Sequence, residues 1–250
     1  MRLLSGFLLF VLLTACAPPP PCRCPDAVPA RAVPPAPLPS VARDAVDPTS
    51  WMESVVQIQV KVGEKLTEGK LEERFEYGTG FFVNERGRIL TSAHVVALAD
   101  DPRHLMVRQG QRQLQARLLW KDSETDLACL LVDAGKTKAL ELAKQPARLG
   151  QPVFAAGYPY VDVFVDSAPA LSAGRLAGLN RSIDYSGERI DGLILTDAFV
   201  ADGCSGGPLL DEQGRVLGVL RFNLARKGSW LGLSMAQPIG SYLAREAKKP

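Results

Sequence analysis

Histidine is nearly absent from this chain: it occurs twice in 250 residues, as His94 and His104. With no H-E-x-x-H pattern around either one, a metal-dependent chemistry has no credible ligand set. Cysteine is sparse too, and Cys22 and Cys24 stand only one residue apart, too tight for a structural zinc pair. They are expected to remain thiols or to pair between chains. A charge bias is also missing. The 29 basic and 27 acidic residues leave a formal net charge of +2, with no basic stripe and no run of like charges. That excludes an electrostatic footprint for nucleic acid. No internal repeat stands out, and helical periodicity is scarce. No residue pattern calls for a cofactor.

The longest apolar run, residues 3–15, follows the single positive Arg2. It falls short of the ~20 residues that a membrane-spanning helix needs and reads as a signal-peptide core. The sequence LLTAC at its end resembles a bacterial lipoprotein signal, with cleavage before Cys16 and acyl chains on that cysteine. A plain signal peptide is the alternative, because Thr14, Ala15 and Ala17 are all small. The non-acidic Ala17 resembles the pattern of lipoproteins sorted to an outer membrane. Proline then crowds residues 17–48 too densely for helix or sheet, so an extended tether is expected. The expected division is a signal peptide over 1–15, a lipid-anchored linker over 16–46, and a folded domain over 47–250.

Within that domain, VVQIQVKV alternates apolar and polar residues as a half-buried strand does. The stretch GEKLTEGKLEER reads as a charged hairpin, and NERG as a turn between two strands. A short entry helix is expected at DPTSWMES, with Asp47 as its cap. A helical tail is expected over 239–248. Many short strands separated by turns point to an all-β barrel or sandwich.

The chemistry concentrates in ADGCSGGPLL, residues 201–210. A serine hydroxyl is a poor nucleophile unless a base reaches it and a third group orients that base. His94, opening a short helical turn after a strand, is the candidate base. His104 sits in a polar loop, where a surface role is expected. Asp126 heads the apolar strand DLACLLV, so it is expected to be buried at the strand's edge and to need a donor. The nearby acids Asp122, Glu124 and Asp133 are less well placed. Gly203, Gly206 and Gly207 let the backbone around Ser205 turn its N–H groups toward a developing oxyanion. The N–H groups of Gly203 and Ser205 are the expected donors. GCSGG also fits the G-x-S-x-G elbow of α/β-hydrolases, but no histidine follows Ser205. The order His94, Asp126, Ser205 is that of chymotrypsin.

At this point the sequence resembles the trypsin-fold serine proteases, and within them the bacterial HtrA/Deg-like branch, over roughly residues 50–240. The motifs that carry the resemblance are GTGFFV, ILTSAHVV, TDLACLLV, AAGYPY, LSAGRLAGL, LILTDAFVADGCSGGPLLDEQGRVLGV and GLSMAQPI. It implies two perpendicular six-stranded β-barrels with the active site in the cleft between them. It also implies a serine endopeptidase whose triad is His94, Asp126 and Ser205, acting on proteins or peptides through an acyl-enzyme. ADGC departs from the branch's usual asparagine-proline-glycine-asparagine, which places the charge of Asp202 near the oxyanion loop. Cys204 is one position out of register with the cysteine-nucleophile relatives. A small buried role is expected for it and for Cys129, with a disulfide between the two left open. The chain's length leaves no room for the PDZ domain common in this branch.

Phe199, six residues before Ser205, stands where an aspartate would suit basic side chains. With Leu220 and Met235 it suggests a shallow apolar pocket and cleavage after small or medium aliphatic residues. Arg221 is the complication, since an inward cation would favour an acidic side chain. The alternative function is a catalytically silent binding or scaffolding lipoprotein on the same fold, its oxyanion loop distorted by Asp202 and Cys204.

Overall fold

The computed structural model describes residues 47–67, 69–99, 101–161, 163, 168–185, 187–226 and 229–248. The expected signal peptide, the lipidated Cys16, the proline-rich tether and Cys22 and Cys24 lie outside the described residues. A four-residue helix, α1 (Thr49–Met52), opens the fold, and the Asp47 side chain accepts the Thr49 N–H. Pro48 rather than Asp47 occupies the cap position.

Six strands follow: β1 (Val55–Thr67), β2 (Lys70–Phe82), β3 (Arg88–Ser92), β4 (Leu105–Gln109), β5 (Arg112–Asp122) and β6 (Leu127–Val132). They close into a barrel in the order β1-β2-β3-β6-β5-β4. A second closed barrel is built from β7 (Pro152–Gly157), β8 (Ala170–Tyr185), β9 (Glu188–Thr196), β10 (Pro208–Leu210), β11 (Val216–Arg226) and β12 (Ser229–Pro238). Its order is β10-β11-β12-β9-β8-β7, and α2 (Ile239–Ala247) ends the described chain. The all-β expectation holds, with six strands in each barrel.

The period-2 pattern explains the interiors. Val56, Ile58 and Val60 of β1 point into the first barrel, where they meet Ile89, Leu105, Val107, Ala128 and Leu130. The strands at the junction are apolar on their other face as well. Phe81, Leu90 and Leu127 pack there against Leu210, Val216 and Val219 of the second barrel and Ile239 and Tyr242 of α2. This is why LACLLV shows no alternation: both of its faces are covered. Burying side chains such as Phe81 and Leu127 contributes roughly 1.5–3 kcal/mol each. The seam between the barrels is therefore held by core-like packing, and residues that meet across it are fixed in position.

Candidate active site

His94 begins a 3-10 turn, His94–Val96, directly after β3. Asp126 directly precedes β6 in the left-handed region, at φ 52°. A non-glycine residue held there costs on the order of 1 kcal/mol or more, a strain that an aspartate tolerates better than most side chains. The pairing of β3 with β6 brings the two together. The His94 backbone N–H donates to Asp126 Oδ1 at 2.9 Å, and His94 Nδ1 lies 2.8 Å from Oδ2. The Asp126 side chain is 7% exposed and that of His94 46%. A carboxylate can only accept, so Nδ1 carries the ring proton and Nε2 presents a lone pair on the open edge of the imidazole.

Ser205 lies in the loop that leads into β10. Gly203 and Gly206 both have positive φ, 93° and 86°. A Cβ on Gly206 would stand 2.1 Å from Thr91 Oγ1 and one on Gly203 2.2 Å from the Tyr158 carbonyl oxygen, so only glycine fits either place. The first barrel holds this loop through Thr79 of β2. The Thr79 N–H donates to the Ser205 carbonyl at 2.8 Å, and its Oγ1–H donates to the Gly203 carbonyl at 2.7 Å. The same oxygen accepts the Tyr158 N–H at 3.0 Å. Further along, the Tyr160 N–H bonds the Asp202 carbonyl at 2.9 Å. In a trans peptide this turns the Gly203 N–H the opposite way. Among the described residues, neither the Gly203 nor the Ser205 N–H donates to a backbone carbonyl. The Asp202 side chain is exposed, and the backbone beside it is tied down by hydrogen bonds.

Ser205 Oγ donates to the Arg221 carbonyl at 2.8 Å rather than to His94. The Arg221 side chain in turn places Nε 3.1 Å from Asp126 Oδ2. Ser205 and Asp126 are thus both bonded to one neighbour, Arg221, which the sequence offered only as a complication to an apolar pocket. Its cation faces the Asp126 carboxylate. The reason is local. Strand alternation sends Leu220 into the second barrel's core, and a register slip between Leu220 and Phe222 then re-aims residue 221. Leu220 and Met235 are fully buried and offer no surface to a substrate in this structure, which corrects the expectation for both. Phe199 is 44% exposed. The polar residue in the apolar run VLGVLRFN was the one available sign of Arg221, and Thr79 left no sign beyond its place in GTGFFV.

Cys129 and Cys204 are joined by no disulfide; the first lies in β6 of one barrel and the second beside Ser205. Burial pushes the Cys204 thiol up to about 11. The thiolate is the reactive form, so at pH 8 this sulfur is expected to be inert. Iodoacetamide should leave Cys204 unmodified in the folded protein and modify it once guanidinium unfolds the chain, as peptide mass mapping will read. A raised acid pKa means that the folded state keeps its proton longer than the unfolded one. Stability should therefore fall as pH climbs from about 9 toward about 11. The buried phenols of Tyr158 and Tyr242, each pushed up to about 12, extend that loss further. Among the described residues, no cluster of histidine, cysteine and carboxylate side chains could hold a metal ion.

Comparison with known proteins places these features in a family. Residues 78–219 match the model of the trypsin-like peptidase domain. A probable periplasmic serine endoprotease DegP-like of Halomonas elongata is 35% identical over 173 residues, covering 69% of this chain and 35% of that protein. The Protease Do-like 1, chloroplastic, of Arabidopsis thaliana is 32% identical over 167 residues, or 65% of this chain and 36% of that one. The chain thus spans about a third of the length of these relatives. Among solved structures, the active form of the Rv3671c protease from M. tuberculosis superposes with a TM-score of 0.65 at 26% identity, over 80% of this chain and 82% of that one. With its two closed barrels, the family match over more than half of its length and these homologues of the HtrA/DegP kind, the chain belongs to the trypsin-like peptidase family.

Proposed function

We propose that this protein is a serine endopeptidase that cleaves proteins or peptides through an acyl-enzyme. The observation that carries the reading is the buried Asp126 carboxylate holding His94 Nδ1 at 2.8 Å, with the opposite edge of the ring open. In this reading the Ser205 hydroxyl leaves the Arg221 carbonyl and donates to His94 Nε2. Nε2 then accepts the hydroxyl proton as Oγ bonds to the scissile carbonyl carbon, and the carbonyl's π pair moves onto its oxygen. The N–H groups of Gly203 and Ser205 receive that oxyanion, each worth roughly 3 kcal/mol in sites of this kind. When the C–N bond breaks, Nε2 returns the proton to the leaving amine. Water repeats the sequence on the ester and restores Ser205.

The substrate side chain before the scissile bond is uncharged in this proposal, of small or medium aliphatic type. Phe199 stands where an aspartate would attract a cation, and the Arg221 cation is taken up by Asp126. The proposed setting is the bacterial cell envelope, with residues 1–15 as signal, Cys16 as the lipid-bearing first residue and residues 16–46 as the tether. The name of the Halomonas elongata relative supports a periplasmic location.

The Ser205–Arg221 hydrogen bond favours the second reading, a silent scaffold whose nucleophile is never released. A fluorophosphonate probe separates the two. Covalent labelling of the intact protein, mapped to Ser205 and lost in Ser205→Ala, is the result expected of the enzyme. An unlabelled protein with an intact thermal transition would point to the scaffold.

A further inference from the structure

We propose that Arg221 is a positioning residue that meters the triad: its guanidinium shares Asp126 Oδ2 with His94 and so limits the help the carboxylate gives to the imidazolium formed during attack. The proposal rests on the serine-endopeptidase reading above and goes beyond it, because it assigns a rate-setting role to a residue outside the triad.

Three observations carry it. First, the side chain is built into the site: it is 11% exposed, and the register slip in β11 delivers it across the seam to the first barrel. Second, both donors converge on one atom. His94 Nδ1 is 2.8 Å and Arg221 Nε 3.1 Å from the same Oδ2, so the two nitrogens lie within about 6 Å of each other, close enough for strong Coulomb coupling in a buried place. Third, among the described residues the guanidinium has no other anion to serve. Among the described residues, Asp126 is the only carboxylate it pairs with, and its Nη1 is buried without an acceptor.

The consequence follows from counting charges. Before attack, one buried cation faces one buried anion. That pairing keeps the carboxylate aligned under His94. During attack, the proton leaving Ser205 Oγ arrives on Nε2, and two cations then face a single carboxylate. The fixed guanidinium opposes the charge that the transition state develops, so part of the carboxylate's stabilising power is unavailable. The backbone of the same residue acts in the same direction, since its carbonyl holds the resting Ser205 hydroxyl at 2.8 Å.

The test uses the full chain and diisopropyl fluorophosphate. In that reaction the Oγ–P bond forms, fluoride departs and the hydroxyl proton passes to His94, so the rate reports nucleophile activation without a peptide pocket. Arg221→Gln keeps a side-chain N–H donor and removes the charge; Arg221→Thr removes the charge with a smaller group. On the alkaline plateau of each protein, both neutral variants are expected to react about fivefold to tenfold faster than the parent. For a peptide substrate the gain should appear in kcat, with KM changed by less than about twofold, because the Arg221 side chain is only 11% exposed. The far-downfield proton resonance of His94 Nδ1–H should move further downfield as its bond to Asp126 strengthens. Arg221→Lys, which keeps a cation, should show no such gain. Folded neutral variants that react no faster than the parent overturn the proposal, as does an equal gain in the lysine variant. Failure of the parent itself to react with the reagent instead strikes the endopeptidase reading.

Discussion

Replacing His94 with alanine is expected to lower kcat for peptide hydrolysis by on the order of a million-fold, the scale seen when a triad's base is removed from a serine protease. The geometry gives the reason for so large an effect. Among the described residues, Ser205 Oγ has one hydrogen-bond partner, the Arg221 carbonyl, and a carbonyl cannot accept a proton in any useful sense. His104, the other histidine, lies in a 3-10 turn before β4, in a different part of the first barrel. Among the described residues, the neighbouring Cys204 offers no base either, since burial holds its thiol neutral. The stability cost should be small, because the imidazole is 46% exposed and the backbone N–H that bonds Asp126 Oδ1 survives the substitution. Steady-state hydrolysis of a chromogenic peptide, with a thermal melt on the same sample, measures both. A variant that keeps more than about a thousandth of the parent's kcat would remove His94 from the role of base.

Much of the fold was legible because the chemistry of a strand is local. Val56, Ile58 and Val60 declared an inward face by alternation alone, and the NERG turn and the charged hairpin between β1 and β2 stand where their residues implied. The meeting of His94 with Asp126 was legible through chain order and the burial that an acid heading an apolar strand must accept. Two features escaped for different physical reasons. Period-2 reasoning needs an unbroken ladder, and the slip between Leu220 and Phe222 breaks it where it matters. Leu220 was thereby assigned to a pocket although it fills a core, and the link from Arg221 to Asp126 left no trace in the pattern. Thr79 escaped because its effect is a long-range polar contact: its hydroxyl reaches the Gly203 carbonyl, 124 residues away. Such a contact leaves no local pattern, since a buried threonine on a strand is ordinary until its partner is known.

Asp126→Asn is the second large effect, and here Arg221 makes the expected outcome two-sided. An amide that must donate to His94 favours the wrong ring tautomer, so kcat should fall by about ten-thousand-fold even with the geometry retained. In this protein the same substitution also strips a buried cation of its partner. Arg221 and Asp126 are 11% and 7% exposed, and breaking a buried pair by removing one member costs roughly 3–5 kcal/mol, far more than the pair contributes over an apolar substitute. The Asp126→Asn variant should therefore melt at a clearly lower temperature than the parent, in addition to losing activity. The double variant Asp126→Asn/Arg221→Gln separates the two losses. Removing the orphaned charge should recover most of the thermal stability while leaving kcat near the level of Asp126→Asn, because no carboxylate remains to orient the imidazole. Thermal melts and hydrolysis rates of the parent, both single variants and the double variant form a closed cycle. If the double variant is as unstable as Asp126→Asn, the guanidinium is not relying on Asp126 for its place in the interior, and the coupling drawn here between the triad and β11 is absent.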